Sequence, residues 1–436
     1  MTAVEHRPEP DRGPAAPRRA ARRTTWARWQ RPLLFGFGAL LLLSVVARVT
    51  DSPELVSGNT YGAAFRLAIP ILLAGLGGLF SERVGVVNIG LEGMMILGTW
   101  AGAWAAWQHG PWWGVAAAIV AGALGGLLHA VATVTFGVDH VVSGVAINIL
   151  AAGAMRFLSV VTYTAGSGGG ATQSPRISGG TGSASVPFLA GGDLFGWRTP
   201  NLLAWLEARD VFGLSDVAAL VRGPAETMTW LLALAVVMVP VTWYVLWRTP
   251  LGLRMRSVGE HPLAAESLGV RVYGVKYLGV TISGALAGLG GVVLVLEFAG
   301  IYREGQTAGR GFIALAALIF GNWRPGGVAG AAGLFGYSDA LQLRSESAVH
   351  GLLLFVALVL LGAAAWALWR RRLPRAAVMG ALGVLFFWWY ATTDTVPGQF
   401  VFFTPHLVTL LVLAFAAQRL RPPAAVGRPY RRGQLE

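Results

Sequence analysis

The chain has 436 residues, of which 55% are hydrophobic and only 13% are charged, and it contains no cysteine. The hydrophobic fraction is larger than the core of a soluble protein requires, so it predicts an all-α, polytopic helical membrane protein. The absence of cysteine excludes disulfides and cysteine-ligated metals. The formal net charge of +13 would suggest nucleic acid for a soluble protein, but in a membrane protein the positive-inside rule accounts for it. We therefore expect contact with membrane lipid and no nucleic-acid partner.

Residues 1–31 are rich in Pro, Ala and Arg and are predicted to form a basic, disordered cytoplasmic tail. Residues 32–420 form the predicted membrane domain, and within it the run Gly311–Gly321 is short enough to be a half-helix. The apolar runs of this domain are Leu33–Val49, Tyr61–Phe80, Val84–Trp107, Trp112–Phe136, Val141–Val161, Met228–Trp247, Tyr277–Phe298, Gly311–Gly321, Gly326–Leu343, Gly351–Trp369, Ala376–Tyr390 and Pro405–Gln418.

The distribution of arginine predicts the topology. If the amino-terminal tail is inside, the Arg-bearing connections between alternate runs and the basic tail at 421–436 also fall inside. The segment 162–227 then lies outside; its first half resembles a flexible linker, and Asn201–Val221 has helix-like apolar spacing. We expect about ten to twelve membrane-crossing helices with both termini in the cytoplasm.

The polar, basic segment 248–276 lies between two strongly apolar runs and carries a helix signature of its own. Glu260 or His261 can cap this helix, Pro262 suits its first turn and Gly269 suits its end. A helix of under two turns is marginal alone and needs a partner surface. We therefore interpret 248–276 as a cytoplasmic coupling loop on which a soluble motor subunit pushes.

Polar groups inside the spans are the candidates for a solute pathway. Asn88 and Glu92 are four residues apart and are predicted to share a helix face, with Glu92 about 13 Å into the membrane at helical rise. Gly85, Gly90 and Gly93 in the same run allow close packing or a broken helix. An intramembrane carboxylate is a pathway residue or a structural group bonded to a neighbouring helix, and the sequence leaves both open. Asn148 and Asp339 are further pathway candidates, whereas Asp139 and His140 are expected to act as caps at an interface.

No motif for catalysis is readable. The stretch Gly269–Lys276 lacks the Gly-Lys-Ser/Thr order of a phosphate loop, and Gly288–Gly291 lacks the dinucleotide pattern and favours close helix packing. The seven histidines are scattered without an HExxH motif, so we expect no metal site. We predict that the chain is not an enzyme and binds no cofactor, so that any ATP and magnesium belong to a partner subunit.

Four motifs resemble, in order and spacing, the permease subunits of bacterial ABC importers. The branch includes systems for branched-chain amino acids, ribose-type sugars and nucleosides, with the closest likeness to nucleoside permeases. The resemblance runs from about Tyr61 to Leu343. The motifs are LFSERVGVVNIGLEGMMILG, VDHVVSGVAINILA, RTPLGLRMRSVGEHPLAAESLGV, and TAGRGFIALAALIFGNWRPGG followed by FGYSDALQLR.

The resemblance implies a multi-pass protein of the bacterial plasma membrane that transports nucleosides. It also implies two ATP-binding subunits, a second, homologous or identical permease and an extracytoplasmic solute-binding lipoprotein. In the coupling loop, Ala264–Ala265 and Gly269 match the Ala-Ala-x-x-x-Gly core, although Leu263 stands where many such loops have Glu. The implied coupling residues are Glu260, His261, Pro262, Ala264, Ala265, Glu266 and Gly269.

Two departures from the family limit what the resemblance implies. The basic amino-terminal extension is longer than usual, and residues 351–390 resemble an inserted helical hairpin. Among alternatives, a permease for simple sugars or branched-chain amino acids fits the same motifs. A proton- or ion-coupled secondary transporter stays open because of Glu92, since such a transporter places ionisable groups deep in the membrane.

Overall fold

The computed structural model describes residues 26–431, apart from residues 165, 167, 185, 195–196, 344–345, 395 and 397–419. The predicted span Pro405–Gln418, residues 1–25 of the predicted tail and residues 432–436 lie outside this part. The helices are α1 (Trp26–Val49), α2 (Gly58–Arg83), α3 (Leu91–His109), α4 (Pro111–Ala130), α5 (His140–Thr162), α6 (Leu202–Glu207), α7 (Leu214–Glu226), α8 (Trp230–Arg248), α9 (Pro250–Glu260), α10 (Pro262–Ser267), α11 (Val272–Leu294), α12 (Arg310–Phe320), α13 (Pro325–Gln342), α14 (Glu346–Trp369) and α15 (Leu373–Thr392).

Seven helical segments of the described part are long and apolar enough to cross a membrane. This confirms the predicted class of polytopic helical membrane protein, while the count of ten to twelve crossings and the side on which the termini lie stay predictions. The segments are Gly58–Arg83, Pro111–Thr135, His140–Thr162, Trp230–Arg248, Val272–Ala299, Ala348–Trp369 and Leu373–Thr392.

Helices α2 and α11 form the centre of the protein, and both are buried along most of their length. Glycines allow their neighbours to approach at backbone distance: a Cβ on Gly284 of α11 would lie 2.1 Å from the carbonyl oxygen of Gly122 on α4. Likewise, a Cβ on Gly288 would lie 2.2 Å from the Ala118 carbonyl oxygen. The predicted role of the 288–291 glycines in close helix packing is confirmed.

The connection between α2 and α3 corrects the sequence prediction. Val84–Trp107 is not one helix, because residues 84–90 are not helical and α3 starts only after them. Asn88 therefore does not share a helix face with Glu92, and the depth of Glu92 derived from helical rise does not apply. Within the break, Gly85 has a φ of +83°, a conformation that suits glycine.

The segment between α8 and α11 holds two helices, whereas the sequence predicted one. The missed helix, α9, begins where the Thr249 side chain accepts a hydrogen bond from the Gly252 N–H at 3.1 Å. The predicted helix is α10, with His261 at its N-cap position and Gly269, at φ +82°, just after its end. His261 makes no side-chain capping bond, so its predicted capping role is only positional.

Three further parts of the chain can be compared with their predictions: the segment 162–227, helix α12 and the α14–α15 hairpin. The segment 162–227 contains α6, α7 and an antiparallel hairpin of β1 (Asp193–Leu194) and β2 (Trp197–Arg198). Helix α12 has 11 residues, as expected of a half-helix. Helices α14 and α15 form a packed hairpin over the predicted 351–390 region: a Cβ on Gly383 would lie 2.9 Å from Leu361 Cγ.

Candidate solute pathway and coupling surface

The carboxylate of Glu92 lies at the amino-terminal end of α12. Its Oε1 accepts the Gly309 N–H at 2.9 Å, and its Oε2 accepts the Gly311 N–H at 2.7 Å. The first N–H groups of a helix have no partner within the helix and carry partial positive charge, so a carboxylate there satisfies and neutralises them. Glu92 is buried, at 7% exposure. Its contacts are those of the structural alternative, a carboxylate bonded to a neighbouring helix.

Asn88 lies in the break between α2 and α3 and is fully buried. Its Nδ2 donates to Ser283 Oγ at 2.9 Å and approaches Met94 Sδ at 3.3 Å. Its Oδ1 finds no hydrogen-bond partner among the described residues. A buried amide oxygen without a partner is costly, and because Asn88 has no exposed surface, a solute reaches it only in another arrangement of the helices.

Asn148 of α5 also binds the backbone of this break. Its Oδ1 accepts the Gly93 N–H at 2.7 Å, and its Nδ2 donates to the Ile89 carbonyl oxygen at 3.1 Å. Both bonds go to backbone groups at the start of α3. Asn148 therefore fixes the position of Glu92, which lies between these two residues in the chain.

Two histidines bind the backbone of Val87 in the same break. His129 Nε2 donates to the Val87 carbonyl oxygen at 3.0 Å, so His129 Nδ1 accepts from Ser143 Oγ at 2.9 Å. His140 Nδ1 accepts the Val87 N–H at 3.3 Å. His129 was not predicted as a site residue, although a single histidine in an apolar run is a signal, and His140 was predicted only as a cap. Asp139 is the N-cap of α5, as predicted.

Asp339 of α13 forms an ion pair with Arg310, the first residue of α12. The distance from Arg310 Nη2 to Asp339 Oδ2 is 3.5 Å, and both side chains are mostly buried, at 18% and 14% exposure. Arg310 stands between the two glycines that bind Glu92, and its Nε has no hydrogen-bond partner within the described residues. Arg310 was not among the predicted site residues.

The four predicted pathway residues thus meet at two interruptions of the helices. Asn88, Asn148 and Glu92 belong to the α2–α3 break, and Glu92 and Asp339 both contact the first turn of α12. Discontinuous helices whose ends meet inside a membrane protein commonly form solute sites. The described residues contain no group of three or more His, Asp or Glu side chains that could hold a metal ion.

The predicted coupling residues divide into two sets. His261, Ala264 and Gly269 are exposed, whereas Pro262 is half-buried and Ala265 is buried against the core at 3% exposure. Helix α10 therefore presents Ala264 outward and is anchored through Ala265.

The two carboxylates of the coupling set are both engaged. Glu260 Oε1 lies 4.0 Å from Arg83 Nη1, and Glu260 Oε2 accepts the Ala424 N–H at 3.2 Å. Glu266 accepts a hydrogen bond from the Tyr430 hydroxyl. Both Ala424 and Tyr430 belong to the carboxyl-terminal segment, whose docking onto α10 no sequence pattern had indicated.

One family model matches most of the chain. Residues 61–373 match the family model described as branched-chain amino acid transport system / permease component. This range contains the α2–α3 break, α9, α10, α12 and the first helix of the α14–α15 hairpin. No solved structure gives a significant match.

Curated relatives give the same picture. The chain is 34% identical over 374 residues to the guanosine ABC transporter permease protein NupQ of Bacillus subtilis, covering 84% of this chain and 94% of that protein. It is 35% identical over 233 residues to the nucleoside ABC transporter permease protein NupC of Lactococcus lactis, covering 51% of this chain and 63% of that protein. It is 28% identical over 286 residues to the glucose ABC transporter permease protein TsgB13 of Haloferax volcanii, covering 61% and 68%.

Proposed function

Because the chain belongs to the family of branched-chain amino acid transport system permease components, we propose that it forms the membrane pathway of an ATP-driven importer for nucleosides. The single observation that supports the substrate class is the similarity to a guanosine permease over 94% of that protein's length. As an ABC permease component the chain is an integral membrane subunit, and ATP hydrolysis lies in a separate subunit.

The family implies ATP-binding and solute-binding partners in general. In finer detail, we propose two ATP-binding subunits that carry ATP and magnesium, a second permease, homologous or identical, and an extracytoplasmic solute-binding lipoprotein. This chain would bind no cofactor of its own. These assignments rest on family membership and on the outward face of α10.

The proposed mechanism uses the contacts of the break and of α10. When ATP binding closes the partner subunits, α10 moves with them. The starts of α3 and α12, which meet at Glu92, then change from an outward-facing to an inward-facing arrangement. A ligand shifts such an equilibrium only through contacts that differ between the two states. The unpartnered Asn88 Oδ1 is a polar contact that suits a neutral, hydroxyl-bearing solute with an aromatic base.

The experiment is ATPase activity in lipid, with this chain purified together with its partner permease, ATP-binding subunit and solute-binding protein. Guanosine, other nucleosides, pentoses, glucose and branched-chain amino acids are tested in parallel. Stimulation by nucleosides alone is the expected result. Stimulation by a sugar or an amino acid would keep the permease assignment and overturn the substrate.

A sugar permease is the second candidate, since the putative glucose ABC transporter permease protein TsgC13 of Haloferax volcanii is 33% identical over 376 residues, covering 85% of this chain and 96% of that protein. The two are separated by competition in the same assay: excess glucose leaves nucleoside-stimulated hydrolysis unchanged if the pathway is for nucleosides. A proton uncoupler separates the importer from a secondary transporter. The uncoupler should leave the ATP-dependent uptake of an importer in proteoliposomes unchanged, whereas it would stop uptake by a proton-coupled secondary transporter.

A further inference from the structure

The carboxyl-terminal segment 420–431 packs onto the connection between α9 and α10. The Ala425 N–H donates to the Gly259 carbonyl oxygen at 2.9 Å, and Ala425 is buried at 7% exposure. The Ala424 N–H donates to Glu260 Oε2 at 3.2 Å. These two bonds, one to a backbone carbonyl and one to a side-chain carboxylate, fix the segment against the end of α9.

Tyr430 anchors the far end of the segment. Its hydroxyl donates to the Glu266 carboxylate, and its ring lies 5.6 Å from the Tyr273 ring, centroid to centroid. The side chain therefore points towards the protein and joins the end of α10 to the start of α11.

The same segment reaches two other parts of the protein. The Gly427 N–H donates to the Gly85 carbonyl oxygen at 3.3 Å, at the base of the α2–α3 break. The Arg421 N–H donates to Asn322 Oδ1 at 2.8 Å, in the turn between α12 and α13. The segment thus contacts α10, the beginning of the α2–α3 break and the turn that follows α12.

A groove of about 920 Å³ lies between α10 and the segment. Glu260, His261 and Ala264 line one wall, and Ala424, Arg428 and Arg431 line the other. Ala264, the outward residue of α10, is therefore part of a concave surface with two walls. The volume is large for one side chain and suits a short segment of a partner protein.

The charge of the groove selects among partners. Arg428 and Arg431 are exposed, and Glu260, with a side chain 46% exposed, is the one carboxylate among the described lining residues. Two arginines against one carboxylate give the groove a net positive charge, which fits acidic side chains of a partner. A membrane-surface segment would present large apolar side chains beside its basic ones. Beside the two arginines this wall carries Ala424, Ala425, Pro429 and Tyr430. Tyr430 is its one large side chain and packs on Tyr273, which favours a protein partner over a lipid surface.

We propose that residues 420–431 form, with α10, a two-walled docking groove for the ATP-binding subunit, in which Arg428 and Arg431 contact acidic side chains of that subunit. The proposal rests on the proposed function, because α10 is taken as the element that receives the subunit. It adds a second recognition element, distant in sequence, to the same surface.

The test measures binding of the purified ATP-binding subunit to the permease complex in lipid nanodiscs, with the double variant Arg428→Glu/Arg431→Glu. Reversal of two exposed charges should weaken binding by about tenfold and reduce its salt dependence. The matched control is Arg375→Glu, an exposed arginine in the first turn of α15, which should bind as the unmodified chain does. Equal unfolding midpoints of the three chains establish that the variants are folded.

A third variant, Ala264→Arg, separates this proposal from the proposed function. If Ala264→Arg abolishes binding while the double variant binds normally, the groove proposal is wrong and the coupling role of α10 stands. If neither variant changes binding, both are wrong. A double variant that binds the subunit normally but loses affinity for vesicles containing anionic lipid would make the segment a lipid-binding element, and this result too would overturn the proposal.

Discussion

Gly311 donates its backbone N–H to Glu92 Oε2 at 2.7 Å, and the two backbones approach so closely that a Cβ on Gly311 would lie 2.5 Å from Glu92 Cα. The start of α3 and the start of α12 are thereby joined through one carboxylate. Any movement of α12 must either carry Glu92 along or break these bonds. The contact is therefore a point at which a change of conformation can be tested.

Replacement Gly311→Ala should destabilise the protein and stop transport. The new methyl group meets backbone atoms that have no room to move, and overpacking of this kind costs about 1–3 kcal/mol. The unfolding midpoint in lipid and the uptake rate measure both effects. Gly330→Ala on α13 is the control, because a Cβ there meets nothing within 4 Å. A Gly311→Ala variant as stable and active as this control would contradict the packing argument.

Replacement Glu92→Gln tests whether the carboxylate caps α12. Glutamine has one acceptor oxygen for the two N–H groups of Gly309 and Gly311, so one donor loses its partner. Hydrogen bonds to charged groups contribute about 1.5–3 kcal/mol, and we expect a loss of stability in this range, larger for Glu92→Ala. If Glu92→Gln keeps full stability yet loses uptake, the carboxylate acts on the solute or on a proton and does not serve as a cap.

Replacement Asn148→Leu should release the α2–α3 break. It removes the acceptor for the Gly93 N–H and the donor to the Ile89 carbonyl oxygen, whereas Asn148→Asp keeps the acceptor. Hydrogen exchange of the amides in residues 86–93 should therefore rise strongly in Asn148→Leu and less in Asn148→Asp. Unchanged exchange in both variants would mean that other contacts alone hold the break.

A predicted apolar run overlaps each of the seven described segments that are long and apolar enough to cross a membrane. The sequence also predicted the short α10 helix and the half-helix α12, because apolar length, Pro262 and Gly269 are local signals. It did not predict that Glu92 caps α12, since the partner N–H groups lie 217 and 219 residues away and are backbone groups without a sequence signature. The error at Asn88 has the same origin. The α2–α3 break is stabilised by side chains of other helices. The spacing of apolar residues along one stretch of sequence contains no information about such contacts.

The neighbouring alanines of α10 should respond differently to the same substitution. Ala264→Arg places charge on an exposed position and should abolish transport while the unfolding midpoint and solute-receptor binding stay unchanged. Ala265→Arg forces charge into a site at 3% exposure and should lower the unfolding midpoint as well. Uptake that survives Ala264→Arg would remove the coupling role of this helix.

The last prediction concerns acid sensitivity of the α6–α7 segment. Burial raises the pKa of Glu226. The hydrogen bonds from Arg222 and Asn201 and the charge of Arg222 lower the pKa by more than burial raises it, so it lies below its ordinary value of 4.5. Because the folded-state pKa is depressed, the stabilisation is present above about pH 4.5 and is lost as pH falls through the folded-state pKa. Proteolysis within residues 197–226 should therefore increase on acidification below that pH. In Glu226→Gln the increase should be smaller, because the variant has no carboxylate to protonate, and an equal increase in both chains would assign the acid sensitivity to another group.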